Sequence, residues 1–143
     1  MNDILINKVQ SIQRCVARAR EEYHLANGHF NKNYSHQDAA ILNMIRACEQ
    51  CIDLGSHIIR THKMGIPNES KDVFRLLAAK QIISLPLAEN LQKMIGFRNM
   101  VVHEYQRINL DIVVAVIETG LNDLIDFCDI IFRTHLVQEK IGS

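Results

Sequence analysis

The chain has no tryptophan, two prolines (Pro67 and Pro86) and six glycines among 143 residues. So few chain breakers leave room for long helices and supply little of the turn chemistry that an all-β fold needs. Net charge is also lacking, because 16 Lys and Arg balance 16 Asp and Glu. A bulk electrostatic hold on nucleic acid is thereby excluded, and any anion site has to be local. No apolar run approaches the roughly 20 residues that span a bilayer. The opening Met1-Asn2-Asp3-Ile4 has no basic stretch leading into an apolar one, so no signal peptide is expected and the cytoplasm is the expected location. A glycine-rich phosphate loop, a His-Glu-x-x-His helix and a Gly-x-Ser-x-Gly elbow are all missing. The common nucleotide-binding, zinc-protease and serine-hydrolase readings go with them.

What is present is a helical period from end to end. With 48% hydrophobic and 22% charged residues, the chain reads as one globular domain over residues 1–143. Ile4, Ile12, Val16, Ala19 and Tyr23 form the stripe of a first helix from Asp3 to about Leu25. A loop rich in Asn and Gly follows, and a second helix begins near Ser35 and runs to about Met64. Ile41, Met44, Ile45, Cys48, Ile52, Gly55 and Ile59 form its inner face. Gly55 inside it points to close approach of another helix backbone, and Gly65 is a natural stop. Pro67-Asn68-Glu69-Ser70 starts a shorter helix carrying Val73, Leu76 and Leu77. Ser84 caps a fourth, with Pro86 in its first turn. Asn109 or Asp111 opens the last, whose stripe includes Ile112, Val116, Ile125, Phe127, Cys128 and Ile131. Residues 138–143 are expected to fray. The fold class is all-α, an antiparallel bundle of about five helices.

Cys48-x-x-Cys51 invites a metal or redox reading, but zinc needs four ligands and a second pair at the right spacing is missing. Cys48 already lies on the apolar stripe, so core thiols are expected. Asp53 and His57 are i, i+4 neighbours, which allows an exposed ion pair, half of a metal site or a support behind a cleft.

The fourth helix carries the anomaly. Leu87, Leu91, Met94, Ile95, Val101, Val102 and Tyr105 fall on one apolar stripe, and Arg98 falls near its centre. A guanidinium there must snorkel, pair with an acid such as Glu49 or Asp53, or face a cleft. His103 lies on a polar stripe with Asn99. A structural ion pair for Arg98, and a dipole-favoured exposed site for His103, account for both residues without catalysis. The two diverge by about 140° on an ideal helix, so a compact site within one chain is disfavoured and a cleft shared by two chains would resolve the difficulty.

Arg98-Asn99-x-x-x-His103-x-Tyr105 in a helical chain of this size resembles the HEPN superfamily, specifically the HepT-like toxins of prokaryotic toxin–antitoxin pairs. Their signature is Arg, four residues, His, one residue and Tyr, commonly with a polar residue after the Arg. Residues 41 to 59, with Asp53-Leu54-Gly55-Ser56-His57-Ile58-Ile59, also look like the long second helix of that family. The resemblance implies a metal-independent RNA endonuclease without a cofactor, working as a homodimer in which two motif helices line one cleft. Arg98 and His103 would be catalytic and Asn99 supporting; for Asp53 and His57 a place behind that cleft rests on their spacing alone. It further implies a minimal nucleotidyltransferase antitoxin that transfers AMP to Tyr105, although Tyr105 can equally stack a base or pack. The alternative is a non-catalytic helical partner that presents nucleotide or substrate to a nucleotidyltransferase.

Overall fold

The helical period resolves into six helices in a computed structural model that describes residues 2–137. They are α1 (Asn2–Leu25), α2 (Tyr34–Thr61), α3 (Ser70–Ala79), α4 (Leu85–His103), α5 (Leu110–Ala115) and α6 (Leu121–Ile131). Single 3-10 turns, Phe30–Lys32 and Tyr105–Arg107, precede α2 and α5. A π-helical turn, Val116–Gly120, joins α5 to α6 without a break, so they form one rod and the antiparallel bundle has five. No strand occurs among the described residues, and no helix is long and apolar enough to cross a membrane. The expected fraying of residues 138–143 lies outside the described residues.

Helix α2 is the centre of the bundle. It packs most extensively on α1 and also touches α3, α4 and α6. Neighbours on several sides explain why its buried set is wider than one stripe: Ala40, Ala47, Cys51, Leu54 and Ile58 join Ile41, Met44, Cys48, Gly55 and Ile59, while Ile45 and Ile52 are only half-buried. Gly55 does sit at a close approach, but against side chains rather than a backbone. A Cβ there would lie 2.5 Å from Val73 Cγ1 and 3.3 Å from Leu77 Cδ1 of α3.

Local signals set most boundaries. Asn33 caps α2 by accepting from the His36 amide at 3.0 Å, Ser84 caps α4 through the Leu87 amide at 3.2 Å, and Asn109 opens α5 through the Asp111 amide at 2.9 Å. The end of α2 comes earlier than Gly65. Lys63 takes the left-handed conformation (φ 53°), and the Met64 amide returns to the Ile59 carbonyl at 3.0 Å. That six-to-one closure satisfies an orphan carbonyl without needing glycine at the turn.

The first part of the last rod departs from the expected stripe by one position, whereas Phe127, Cys128 and Ile131 are buried as expected. Ile112 is exposed, and Val113 and Ile117 are buried with Leu121 and Leu124. Apolar residues at every fourth position drift by about 40° per step around an ideal helix. The widened π turn takes up that drift and brings Leu121 back into the core. At the other end of the molecule, Ile4 is exposed and Leu5, Val9 and Cys15 carry the inner face of α1.

Candidate active site

Helix α4 is seated by Leu87, Leu91, Met94, Ile95, Phe97 and Val101, all buried. Arg98 emerges beside this seat, half-buried, and crosses to α2. Its Nη2 donates to Glu49 Oε1 at 3.0 Å and its Nη1 to Asn99 Oδ1 at 2.9 Å, while Nε is buried without a partner. Of the two acids considered for it, Glu49 is the one used; Asp53 is exposed and makes no ion pair among the described residues. The Glu49 side chain is 45% exposed, so this ion pair sits at a rim rather than in the core. Pairs of that kind add about 0–1 kcal/mol to stability, too little by itself to account for a cation on the apolar stripe. Asn99 faces Arg98 rather than His103. It also borders a depression of about 250 Å³ with Ser70 and Lys71 at the start of α3.

His103 is the last residue of α4 and is exposed. A protonated imidazole there meets the negative end of the helix dipole. No hydrogen bond joins His103 to Arg98 or Asn99 among the described residues: Arg98 diverges from it on the wheel, and Asn99, which shares its stripe, is engaged by Arg98 instead. Val102 and Tyr105 leave the apolar stripe, being 47% and 45% exposed. Residues 102–107 are all exposed, and after α4 the chain turns through Tyr105–Arg107, so wheel positions no longer predict burial there.

Tyr105 and Gln106 line two grooves. One, of about 470 Å³, has His103 and Arg107 on its sides; the other, of about 360 Å³, lies over the start of α2 between Tyr34, Asp38 and Ile41. Tyr105 Oη donates a hydrogen bond to Asp38 Oδ1. Partial burial, with the carboxylate beside it, pushes the phenol up to about 12. Asp38 carries no sequence signal that ties it to Tyr105, since the two are separated by 67 positions.

The remaining candidates separate from this end of α4. Cys48 and Cys51 are buried free thiols, and burial pushes Cys48 up to about 12, which leaves it an inert part of the core. His57 is half-buried and held below its usual range by burial and then by Arg60 and Lys8. No ion pair joins it to Asp53, and no hydrogen bond joins either residue to Arg98 or His103. Glu49 stands behind Arg98 in their place.

Comparisons with known proteins agree in direction. A family model described as "Ribonuclease HepT-like" matches residues 12–131. The chain is 47% identical over 131 residues to the "mRNA nuclease HepT" of Shewanella oneidensis, covering 92% of this chain and 98% of that protein. It is 29% identical over 99 residues to a "Putative RNase" of Archaeoglobus fulgidus, covering 69% and 72% of the two chains. Its fold matches the tri-AMPylated Shewanella oneidensis HEPN toxin in complex with MNT antitoxin at a TM-score of 0.86, with 47% identity over 92% of this chain and 98% of that one. A cytosolic protein of unknown function from Bacillus subtilis, YutE, shares the fold alone, at a TM-score of 0.70 and 19% identity over 91% of each chain.

Proposed function

Since the chain belongs to the HepT-like ribonuclease family, we propose that it is the toxin of a toxin–antitoxin pair: a cytoplasmic, metal-independent RNA endonuclease that works as a homodimer and is silenced by AMP transfer to Tyr105. The observation that carries the reading is the end of α4, where Arg98 is oriented from behind by Glu49 and Asn99 while His103 stands free in an open groove.

RNA brings its own nucleophile, the 2′-hydroxyl next to each phosphodiester. His103 is the group to exchange protons, taking one from the 2′-oxygen or giving one to the departing 5′-oxygen. Attack of the 2′-oxygen on phosphorus breaks the bond to the 5′-oxygen. The products are a 2′,3′-cyclic phosphate and a 5′-hydroxyl, and DNA has no equivalent nucleophile. Arg98 supplies fixed positive charge where negative charge grows on the phosphoryl oxygens. Glu49 and Asn99 hold that guanidinium in one orientation, so little reorganisation is needed when phosphate arrives. Two chains meeting across the exposed ends of α4 supply Arg98 and His103 from both sides, which answers their divergence within one chain. The exposed Val102 side chain suits such a contact.

Tyr105 provides the off switch. Tyr105 lines both grooves, so an added AMP brings bulk and a phosphate charge to the rim that also carries His103. The Shewanella relative is tri-AMPylated in complex with its MNT antitoxin, and a nucleotidyltransferase of that class is the partner expected here.

The test uses purified full-length chain with labelled RNA in EDTA. Cleavage to cyclic-phosphate ends, lost on His103→Ala, is the expected result. Equal cleavage by wild type and His103→Ala, or none by wild type alongside a stable complex with a nucleotidyltransferase, would leave the non-catalytic partner as the better description.

A further inference from the structure

The contact between Tyr105 and Asp38 spans two very different supports. Asp38 lies in the second turn of α2, on backbone fixed by the Asn33 cap and by Gln37, whose buried side-chain amide donates to the Phe30 carbonyl at 2.7 Å. Tyr105 lies on a short exposed turn whose residues 104–107 are all exposed. A phenol on such a turn samples several rotamers unless something holds it. Here the hold is a single carboxylate on a rigid helix.

We infer that Asp38 positions the Tyr105 hydroxyl as the acceptor of an adenylyl group and takes up its proton as the new bond forms. The inference rests on the reading of Tyr105 as the acceptor given above. The co-reactant is a nucleoside triphosphate delivered by the nucleotidyltransferase. Tyr105 Oη attacks the α-phosphorus, an oxygen–phosphorus bond forms, the α–β anhydride bond breaks, and pyrophosphate leaves. The hydroxyl proton passes to the Asp38 carboxylate and from there to water.

Three features of the site support the assignment. Tyr105 is a neutral phenol at ordinary pH, held so by partial burial and the neighbouring carboxylate, and it therefore becomes a good nucleophile only if its proton is removed during attack. The other titratable groups at this turn, His103, Glu104 and Arg107, line the other groove, whereas Asp38 is already hydrogen-bonded to the reacting oxygen. The groove on the Asp38 side, about 360 Å³ and bordered by the 78%-exposed Tyr34, has room and an aromatic face for a nucleotide base. Once Tyr105 is modified, its oxygen has no hydrogen to donate and an added phosphate charge faces the carboxylate. The same contact that prepares the acceptor is thus broken in the product, which frees the modified side chain from α2.

The experiment measures adenylyl transfer to the full-length chain by intact-mass spectrometry, with ATP and the MNT antitoxin of the Shewanella relative as the enzyme. Asp38→Asn keeps size and one hydrogen-bond acceptor but removes the base. It is expected to lower kcat for transfer by about a hundredfold, the low end for a positioned proton acceptor. KM for ATP should stay unchanged, and Asp38→Glu should recover part of the rate. Transfer to Asp38→Asn at the wild-type rate overturns the inference and leaves the reading of Tyr105 standing. A loss confined to the KM for the toxin chain also overturns it, in favour of a docking role. If wild type gains an adenylyl group that peptide mapping places elsewhere, or gains none, the reading of Tyr105 falls and this inference falls with it.

Discussion

Arg98 and His103 are five positions apart on one helix, yet their surroundings have little in common. Arg98 is half-buried and engaged at two of its nitrogens, by Glu49 of α2 and by Asn99. His103 is exposed, ends its helix and faces an open groove. A group whose job is to present fixed charge benefits from such bracing, because orientation is set before the substrate comes. A group that must exchange protons with a substrate needs access and an intermediate pKa instead. The difference also bears on stability: altering the braced residue disturbs the fold slightly, and altering the free one hardly at all.

The largest effect is expected at the free end. His103→Ala should lower RNA cleavage by about 10²–10⁴-fold, as for loss of a positioned acid or base, with its thermal melt unchanged. A lowered melt in step with activity would break the contrast, by showing that His103 supports the fold. Arg98→Ala should reduce cleavage by about 10²–10³-fold. Its stability should fall by no more than about 1 kcal/mol, because the Glu49 left behind is 45% exposed and can hydrate. A stability loss larger than this, measured by urea unfolding, would make Arg98 chiefly a structural ion-pair member.

Gly55→Val serves as a control inside the core, away from either residue. The added side chain meets Val73 Cγ1, which already lies 2.5 Å from the position of a Cβ, so a loss of about 1–3 kcal/mol is expected from overpacking. Cleavage per folded molecule should be unaffected, as a chemical-denaturation curve beside an activity assay will show. Glu49→Gln keeps an acceptor but removes the charge facing Arg98. Stability should change by less than about 1 kcal/mol, and cleavage should fall more than stability does if bracing matters.

The smallest effect is spectroscopic. Tyr105 should ionise near pH 12 rather than its ordinary 10, since partial burial and Asp38 both disfavour the phenolate. The folded value is raised, so the associated stability is present below about pH 10 and is lost as pH rises toward about 12. Ultraviolet titration of wild type against Asp38→Asn checks this, with the variant expected to ionise earlier.

Much of this was legible in the chain itself. The helical period, the caps at Ser84 and Asn109, the core placement of Cys48 and Cys51, and the Arg98-to-Tyr105 spacing are local patterns, and local patterns survive folding because neighbouring residues create them. Burial at the ends of elements was less legible. Val102 and Tyr105 sit on the apolar side of the wheel yet are exposed where α4 ends and the chain turns, and Ile112 loses its place to Val113 in the turn before a π turn shifts the register.

Two facts were decided only by tertiary structure: that Glu49 rather than Asp53 meets Arg98, and that Asp38 receives the Tyr105 hydroxyl. Each depends on how α2 lies against α4 and the turn that follows it, a relation between segments tens of residues apart. Hydrophobic burial sets that relation over whole helix faces. The sequence by itself determined which chemical groups the motif carries and that they lie on one helix. Which of them is braced and which left open was determined by packing.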